Sequence, residues 1–157
     1  MLKFKEVKYI EKIPKNITCV LGADIGGTNS NFGIFLPTNG KLELLLSIHF
    51  KSQEIKNFTN LVQNFLDYLK KTYQINIINA SFAAAGVVSE NRDFCKPTNL
   101  DFVLDAKEII KKTDLKCVTI VNDFEIIGYG LSLINKNGIV QINKGEKRKN
   151  GTKCFLF

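Results

Sequence analysis

One segment near the start of the chain constrains its fold more than any other: Leu21-Gly22-Ala23-Asp24-Ile25-Gly26-Gly27-Thr28-Asn29-Ser30-Asn31-Phe32-Gly33. The apolar run Thr18 to Ala23 reads as a buried strand that delivers Asp24 at its end. Two adjacent glycines and a threonine then turn the chain into a second strand, Phe32 to Leu36. Anion binding needs backbone N–H groups that no Cβ obstructs, and Gly26 and Gly27 supply them. Thr28 and Asn29 add side-chain donors. Asp24 places a carboxylate where a Mg²⁺ ion with its water shell would sit beside phosphates. The segment is neither a Walker A loop nor a Gly-x-Gly-x-x-Gly fingerprint. A strand follows it, so no helix N-terminus is offered. A Gly-Gly hairpin turn would explain the glycines alone, but it would not require Asp24, Thr28, Asn29 and Gly33 together.

The rest of the chain alternates between strand and helix signals. Leu42 to Phe50 reads as a third strand, reached through the turn Pro37-Thr38-Asn39-Gly40. Three strands on short links imply an antiparallel meander. Phe58, Leu61, Val62, Phe65, Leu66 and Leu69 recur at helical spacing, with Asn57 or Thr59 as cap. Asn76 to Ala85 is a further strand, ending in the small residues Ala83-Ala84-Ala85-Gly86, which let something approach the backbone closely. Asp105 caps a short helix to Lys112, and Lys116 to Val121 is a β-prone run. Phe124 to Ile134 reads as a helix weakened by Gly128 and Gly130. Gly138 to Ile142 and Cys154 to Phe157 read as a last strand pair. Residues 1–16 read as an edge strand, a short helix or a loose arm. This order predicts one α/β domain with a mixed sheet.

Composition excludes several classes. The chain of 157 residues carries a net charge of +7, nearly all from lysine. Those lysines are scattered among acidic residues, and arginine occurs only at Arg92 and Arg148. That pattern fits a solvated surface rather than a nucleic-acid interface. Lys144 to Lys153 is the one dense patch. No run approaches the roughly 18 apolar residues of a membrane span, and no secretory leader is visible. A cytoplasmic protein is expected. Cys19, Cys95, Cys117 and Cys154 lack zinc-ligand spacing; Cys19 and Cys117 read as small buried hydrophobes.

Two further motifs carry chemistry. Val118-Thr119-Ile120-Val121 delivers Asn122-Asp123 at a strand's C-terminal end, where α/β sheets commonly place reacting groups. Asp123 could accept the proton of an attacking hydroxyl and Asn122 could bond a neighbouring one. Equally, the two could cap the following helix. Lys96-Pro97-Thr98-Asn99-Leu100-Asp101-Phe102 alone is a polar loop with a turn-forming proline.

In series these segments resemble the glucokinase family of the actin–hexokinase superfamily, over roughly residues 17–157. Asp24 to Asn29 is similar to the superfamily's first phosphate loop. Ala83 to Gly86, then Thr98-Asn99 with an aromatic at Phe102, is similar to the sugar-side segment. Asn122-Asp123-Phe124 with Tyr129-Gly130 is similar to the catalytic segment. The resemblance implies an actin/hexokinase-like (ribonuclease H-like) domain, with a mixed five-stranded sheet, its first three strands in antiparallel hairpins, and flanking helices. An arm over 1–16 would precede the kinase domain over 17–157. The resemblance also implies ATP and Mg²⁺ as cofactors and glucose or a similar hexose as partner, without nucleic acid or membrane. In the roles it implies, Gly26, Gly27, Thr28 and Asn29 cradle ATP phosphates and Asp24 assists the metal through water. Asn99, Asn122 and Asp123 contact the sugar, Asn99 and Asn122 by bonding its hydroxyls, and Asp123 is also the general base. Val87, Phe102 and Ile126 stand where the family often has proline, tryptophan and alanine, departures that bear on sugar preference more than on reaction class. The family continues into a larger second domain with another phosphate loop. The expectation is therefore an N-terminal part, incomplete alone, of an enzyme that can form a homodimer. Another sugar kinase, or a non-catalytic sugar- or nucleotide-sensing module, is the alternative.

Overall fold

The computed structural model describes residues 2–131, 133–134 and 140. Its strands and helices run β1 (Phe4–Lys8), β2 (Ile17–Ile25), β3 (Asn29–Thr38), β4 (Lys41–Lys51), α1 (Phe58–Tyr73), β5 (Ile75–Ala84), β6 (Gly86–Val88), β7 (Phe94–Pro97), β8 (Leu104–Asp105), α2 (Ala106–Lys112), β9 (Cys117–Asn122) and α3 (Asp123–Leu131). A six-stranded sheet has the order β1-β4-β3-β2-β5-β9, and β6-β7-β8 form a separate small sheet. In the large sheet β1, β4, β3 and β2 pair antiparallel, whereas β2, β5 and β9 pair parallel. The mixed sheet and the hairpin meander are as the sequence predicts.

Five strands were expected in that sheet, and the N-terminal segment supplies the sixth. Of its three readings, the edge strand holds: β1 pairs with the outer side of β4, Phe4 opposite Phe50 and Lys8 opposite Leu46. Glu6 fixes it to α1, accepting from Tyr68 at 2.7 Å and from Tyr73 at 2.5 Å.

Local chemistry explains most of the elements. Asn39 and Gly40 both adopt positive φ (50° and 75°), the pairing that lets a two-residue turn match the twist of β3 and β4. Asn57 caps α1, accepting from the N–H of Asn60 at 2.8 Å. The helix ends at Gln74, a left-handed residue whose N–H returns to Leu69 and Lys70. Its buried face is Phe58, Leu61, Val62, Phe65 and Leu69. That face meets Phe32, which is fully buried and makes edge-on contacts with Phe50, Phe58 and Phe65. Phe102 stacks on Phe58 at 5.6 Å. Asp105 caps α2 through the N–H of Glu108.

Two readings change, and the helix after Asn122 holds. Cys117 is exposed, not buried, because it opens β9 on the outward side while Val118 and Ile120 point inward. Lys96-Pro97 is strand rather than loop, and the turn falls at Thr98-Asn99. Pro97 is tolerated because β8 pairs only with Phe94 and Cys95, leaving no ladder partner there for its missing N–H. Helix α3 runs through both Gly128 and Gly130 and buries no residue deeply. Arg92 reaches it through an ion pair to Glu125 at 2.5 Å. The expected strands Gly138 to Ile142 and Cys154 to Phe157, and the basic stretch Lys144 to Lys153, lie outside the described residues apart from Val140. Among the described residues, no helix is long and apolar enough to cross a membrane.

Candidate functional site

The strand register brings the separate sequence motifs to one edge of the sheet. Parallel pairing sets Asp24 beside Ala83, and Ala83 beside Val121. One residue further, Ile25, Ala84 and Asn122 are aligned. Neighbouring strands lie about 4.8 Å apart. The exits of β2, β5 and β9 therefore fall within roughly 10 Å of one another. The glycine loop, the Ala85-Gly86 corner and Asn122-Asp123 leave from those exits. The C-terminal edge of parallel strands is the place where open α/β sheets bind ligands.

The glycine loop closes with the N–H of Gly26 donating to Asn29 O at 3.0 Å. A Cβ on Gly26 would press on that same oxygen at 3.1 Å, whereas one on Gly27 would meet open space. Gly27, Thr28 and Asn29 are exposed. Among the described residues, the N–H groups of Gly27 and Thr28 have no acceptor. Behind the loop, Ser52 Oγ donates to Gly26 O at 2.6 Å and Gln53 Nε2 to Gly27 O at 2.9 Å. Ser52 N–H bonds Thr28 O at 3.0 Å. Lys51 Nζ holds the side-chain oxygen of Asn29 at 3.0 Å.

Asp24 is exposed at the end of β2 and takes a long bond, 3.5 Å, from Asn31 Nδ2. A relay orients Asn31: its Oδ1 lies 2.8 Å from His49 Nδ1, and His49 Nε2 lies 2.9 Å from Ser47 Oγ. Asn31 presents its NH₂ to Asp24, so its oxygen must face an N–H on Nδ1 of His49. Among the described residues no cluster of three or more His, Cys, Asp or Glu could hold a metal ion. A single exposed carboxylate suits Mg²⁺, which keeps most of its waters and takes one or two carboxylates beside substrate phosphates.

Across the edge, Asn122 does the work of a cap. Its Oδ1 accepts from the N–H groups of Phe124 (2.9 Å) and Glu125 (3.3 Å), and its Nδ2 donates to Gly86 O at 3.0 Å. An amide nitrogen carries two hydrogens, so one remains for a second acceptor. Asp123 opens α3, half-buried, with Oδ1 accepting from Phe124 N–H at 3.0 Å. The thiol of Cys95 is pushed up by burial and, secondarily, by the charge of Asp123, which places that carboxylate near a sealed, apolar neighbour.

Asn99 joins the same edge. Thr98 N–H donates to Ala85 O at 2.7 Å, hanging the turn on the end of β5. Asn99 is exposed and left-handed (φ 65°), a conformation that asparagine tolerates better than most residues. Gln53 Nε2 reaches its carbonyl at 3.4 Å. The small residues before it admit this chain's own backbone: a Cβ on Gly86 would lie 2.6 Å from Lys96 O. The structure thus brings Asp24, Gly26, Gly27, Thr28, Asn29, Asn99, Asn122 and Asp123 to one edge. Sequence reasoning missed Ser52 and Gln53. Only the register of the β3–β4 hairpin, with Asn29 opposite Lys51, could have pointed to them. A groove of about 710 Å³ between α1 and α2, lined by Thr18, Asn76, Lys70 and Lys116 among others, lies at the opposite edge of the sheet, far from these groups.

Comparison with known proteins follows the same lines. The Glucokinase family model matches residues 21–156. The chain is 28% identical over 131 residues to the glucokinase of a Nostoc species, covering 83% of this chain and 37% of that protein. It is 26% identical to the glucokinase of Helicobacter pylori, covering 85% and 38%. It is 31% identical to that of Colwellia psychrerythraea, covering 80% and 36%. Among solved structures, a glucokinase from an Antarctic psychrotroph superposes with a TM-score of 0.69 at 23% identity, over 84% of this chain and 40% of that one. A glucokinase from Balamuthia mandrillaris in complex with glucose superposes with a TM-score of 0.56 at 22% identity, over 73% and 32%. The chain therefore spans little more than a third of the length of these curated relatives.

Proposed function

The chain belongs to the glucokinase family, and on that premise we propose that it supplies the phosphate- and sugar-contacting wall of an enzyme that transfers the ATP γ-phosphoryl group to the 6-hydroxyl of glucose. The observation that carries this reading is the register that sets Asp24, Ala83 and Val121 side by side. It puts an anion-suited loop and a carboxylate at the exits of β2 and β9, the two strands that flank β5.

In this reading the N–H groups of Gly27 and Thr28, with the side chains of Thr28 and Asn29, bind ATP phosphate oxygens. Asp24 holds the waters of a Mg²⁺ ion, which when bound neutralises charge on the transferring phosphoryl group. Asn99 and the spare N–H of Asn122 bond hydroxyls of the hexose. Asp123 takes the proton of the attacking hydroxyl through the carboxylate oxygen that Phe124 does not engage. Phosphoryl transfer depends on positioning and on charge stabilisation from several sides. The rest of the cleft belongs to the length of the relatives that this chain does not match. The division into a segment 1–16 and a kinase domain over 17–157 is part of the same reading. The enzyme is taken to act in the cytoplasm, where ATP is supplied, on small molecules rather than nucleic acid or membrane. A homodimer of the full-length enzyme rests on the family resemblance.

Amide NMR on the chain tests the reading. MgATP is expected to shift the signals of residues 26–29, and glucose those of Asn99, Asn122 and Asp123. Shifts confined to the lysine-lined groove near Lys70 and Lys116 would move the site to the other edge of the sheet.

A further inference from the structure

Ser52 and Gln53, consecutive residues of the turn after β4, hold three consecutive carbonyls of the glycine loop: Gly26 O, Gly27 O and Thr28 O. Ser52 is buried, and its hydroxyl is 2.8 Å from that of Ser30, which is also buried. A trans peptide is planar, with its C=O and N–H pointing in opposite directions. Drawing three successive carbonyls to one side therefore sends the N–H groups of Gly27, Thr28 and Asn29 to the other. Glycine alone leaves these peptides free to flip, because it populates both signs of φ readily. The direction of the N–H groups comes from the turn behind the loop.

The same turn reaches the second loop. Gln53 Nε2 carries two hydrogens. Its two acceptors, Gly27 O at 2.9 Å and Asn99 O at 3.4 Å, lie on different loops. We propose that Ser52 and Gln53 are positioning residues for the nucleotide–sugar cleft: Ser52 aims the N–H groups of the glycine loop at phosphate, and Gln53 sets the spacing between that loop and the sugar-side turn at Asn99. The phosphate and sugar parts of this inference rest on the function proposed above; the mechanical link between the loops does not.

Backbone amide relaxation in the wild-type chain and in Ser52→Ala, Gln53→Leu and Gln53→Glu tests it. Gln53 is exposed, so its variants should fold even if Ser52→Ala does not. In Gln53→Leu, the order parameters of residues 27–29 and 98–100 should fall together, from about 0.85 to below about 0.6. Gln53→Glu, equal in shape but offering oxygen to both carbonyls, should do the same at neutral pH. Ser52→Ala should loosen only residues 26–29. Both loops staying rigid in the two Gln53 variants, or one loosening without the other, would overturn the proposal. MgATP affinity should fall about tenfold in Ser52→Ala and Gln53→Leu. Unchanged affinity in both would overturn the phosphate-aiming role. If an enzyme carrying this domain shows no MgATP response, the functional reading fails, while the relaxation data on the chain still decide the link between the loops.

Discussion

The hydroxyl of Ser30 lies 2.8 Å from that of Ser52, with both residues sealed from solvent. Ser52 commits its one proton to Gly26 O, so Ser30 must be the donor between the two. The pair is thus directional, and its members are unequal. Removing Ser52 orphans two groups, the Ser30 hydroxyl and the Gly26 carbonyl. Removing Ser30 costs Ser52 only an incoming bond. Ser52→Ala should destabilise the fold by about 1–3 kcal/mol, and Ser30→Ala by about 1 kcal/mol or less. Urea unfolding midpoints measure the difference, and equal losses would contradict the assigned direction.

Gly86 should not tolerate a side chain. A Cβ there would sit 2.6 Å from Lys96 O, 3.0 Å from Cys95 Sγ and 3.2 Å from Pro97 Cα. Two of these neighbours are backbone and cannot rotate away. Gly86→Ala should cost about 1–3 kcal/mol through forced backbone movement. It should also displace Asn122, whose Nδ2 bonds Gly86 O. Gly27→Ala, by contrast, meets open space and should leave stability nearly unchanged. Thermal melts of the two variants side by side make the comparison.

The contrast between these glycines marks what could be read from the sequence. Helix α1 was legible because its apolar stripe and the Asn57 cap are local signals. So was the β3–β4 turn, because Asn39-Gly40 carries its own backbone preference. The β6–β7–β8 sheet was not, because its strands are two to four residues long and pair across sequence gaps. The small residues Ala83 to Gly86 do admit a close approach, yet at Gly86 the visitor is the chain's own Lys96–Pro97 backbone. Ser52 and Gln53 were hidden for a related reason. Their place behind the glycine loop depends on the hairpin register, which a bulge after Ile34 shifts by one residue. Asn122 kept two readings in the sequence. The structure draws its cap bonds, and its spare N–H is what the sugar-binding role would use.

The edge strand β1 should loosen at alkaline pH. Tyr68 and Tyr73 both donate to Glu6, and burial first, then the bond to that carboxylate, raises both phenols above the ordinary tyrosine value. Lys8 lies 3.9 Å from Glu6 and over the ring of Tyr73. A raised folded-state value means that the neutral phenol is the bound form. Its contribution is complete below about pH 10, the unfolded phenol value, and is lost as pH rises through the higher folded values. Ultraviolet titration should show two late-ionising tyrosines. Tyr68→Phe and Tyr73→Phe should each remove one of them. Late phenols persisting in the double variant would refute the assignment.

Asp123 is the decisive residue for the proposed chemistry, because its neighbours allow charge and shape to be separated. Its carboxylate engages one backbone N–H, that of Phe124, which also bonds Asn122 Oδ1. Asn122 can therefore keep α3 capped if Asp123 changes. Asp123→Asn preserves size and the acceptor oxygen but removes the base. In an enzyme carrying this domain, it should lower kcat by about 10²–10⁴-fold, the usual worth of a positioned general base, while leaving glucose affinity within a few-fold. The folded stability of the chain should change by less than about 0.5 kcal/mol, as for a surface substitution away from packing. A matched fall in glucose affinity would make holding the sugar, rather than taking its proton, the main role of Asp123. Turnover at the wild-type rate would remove it from the chemistry and leave it a helix-terminal residue beside Asn122.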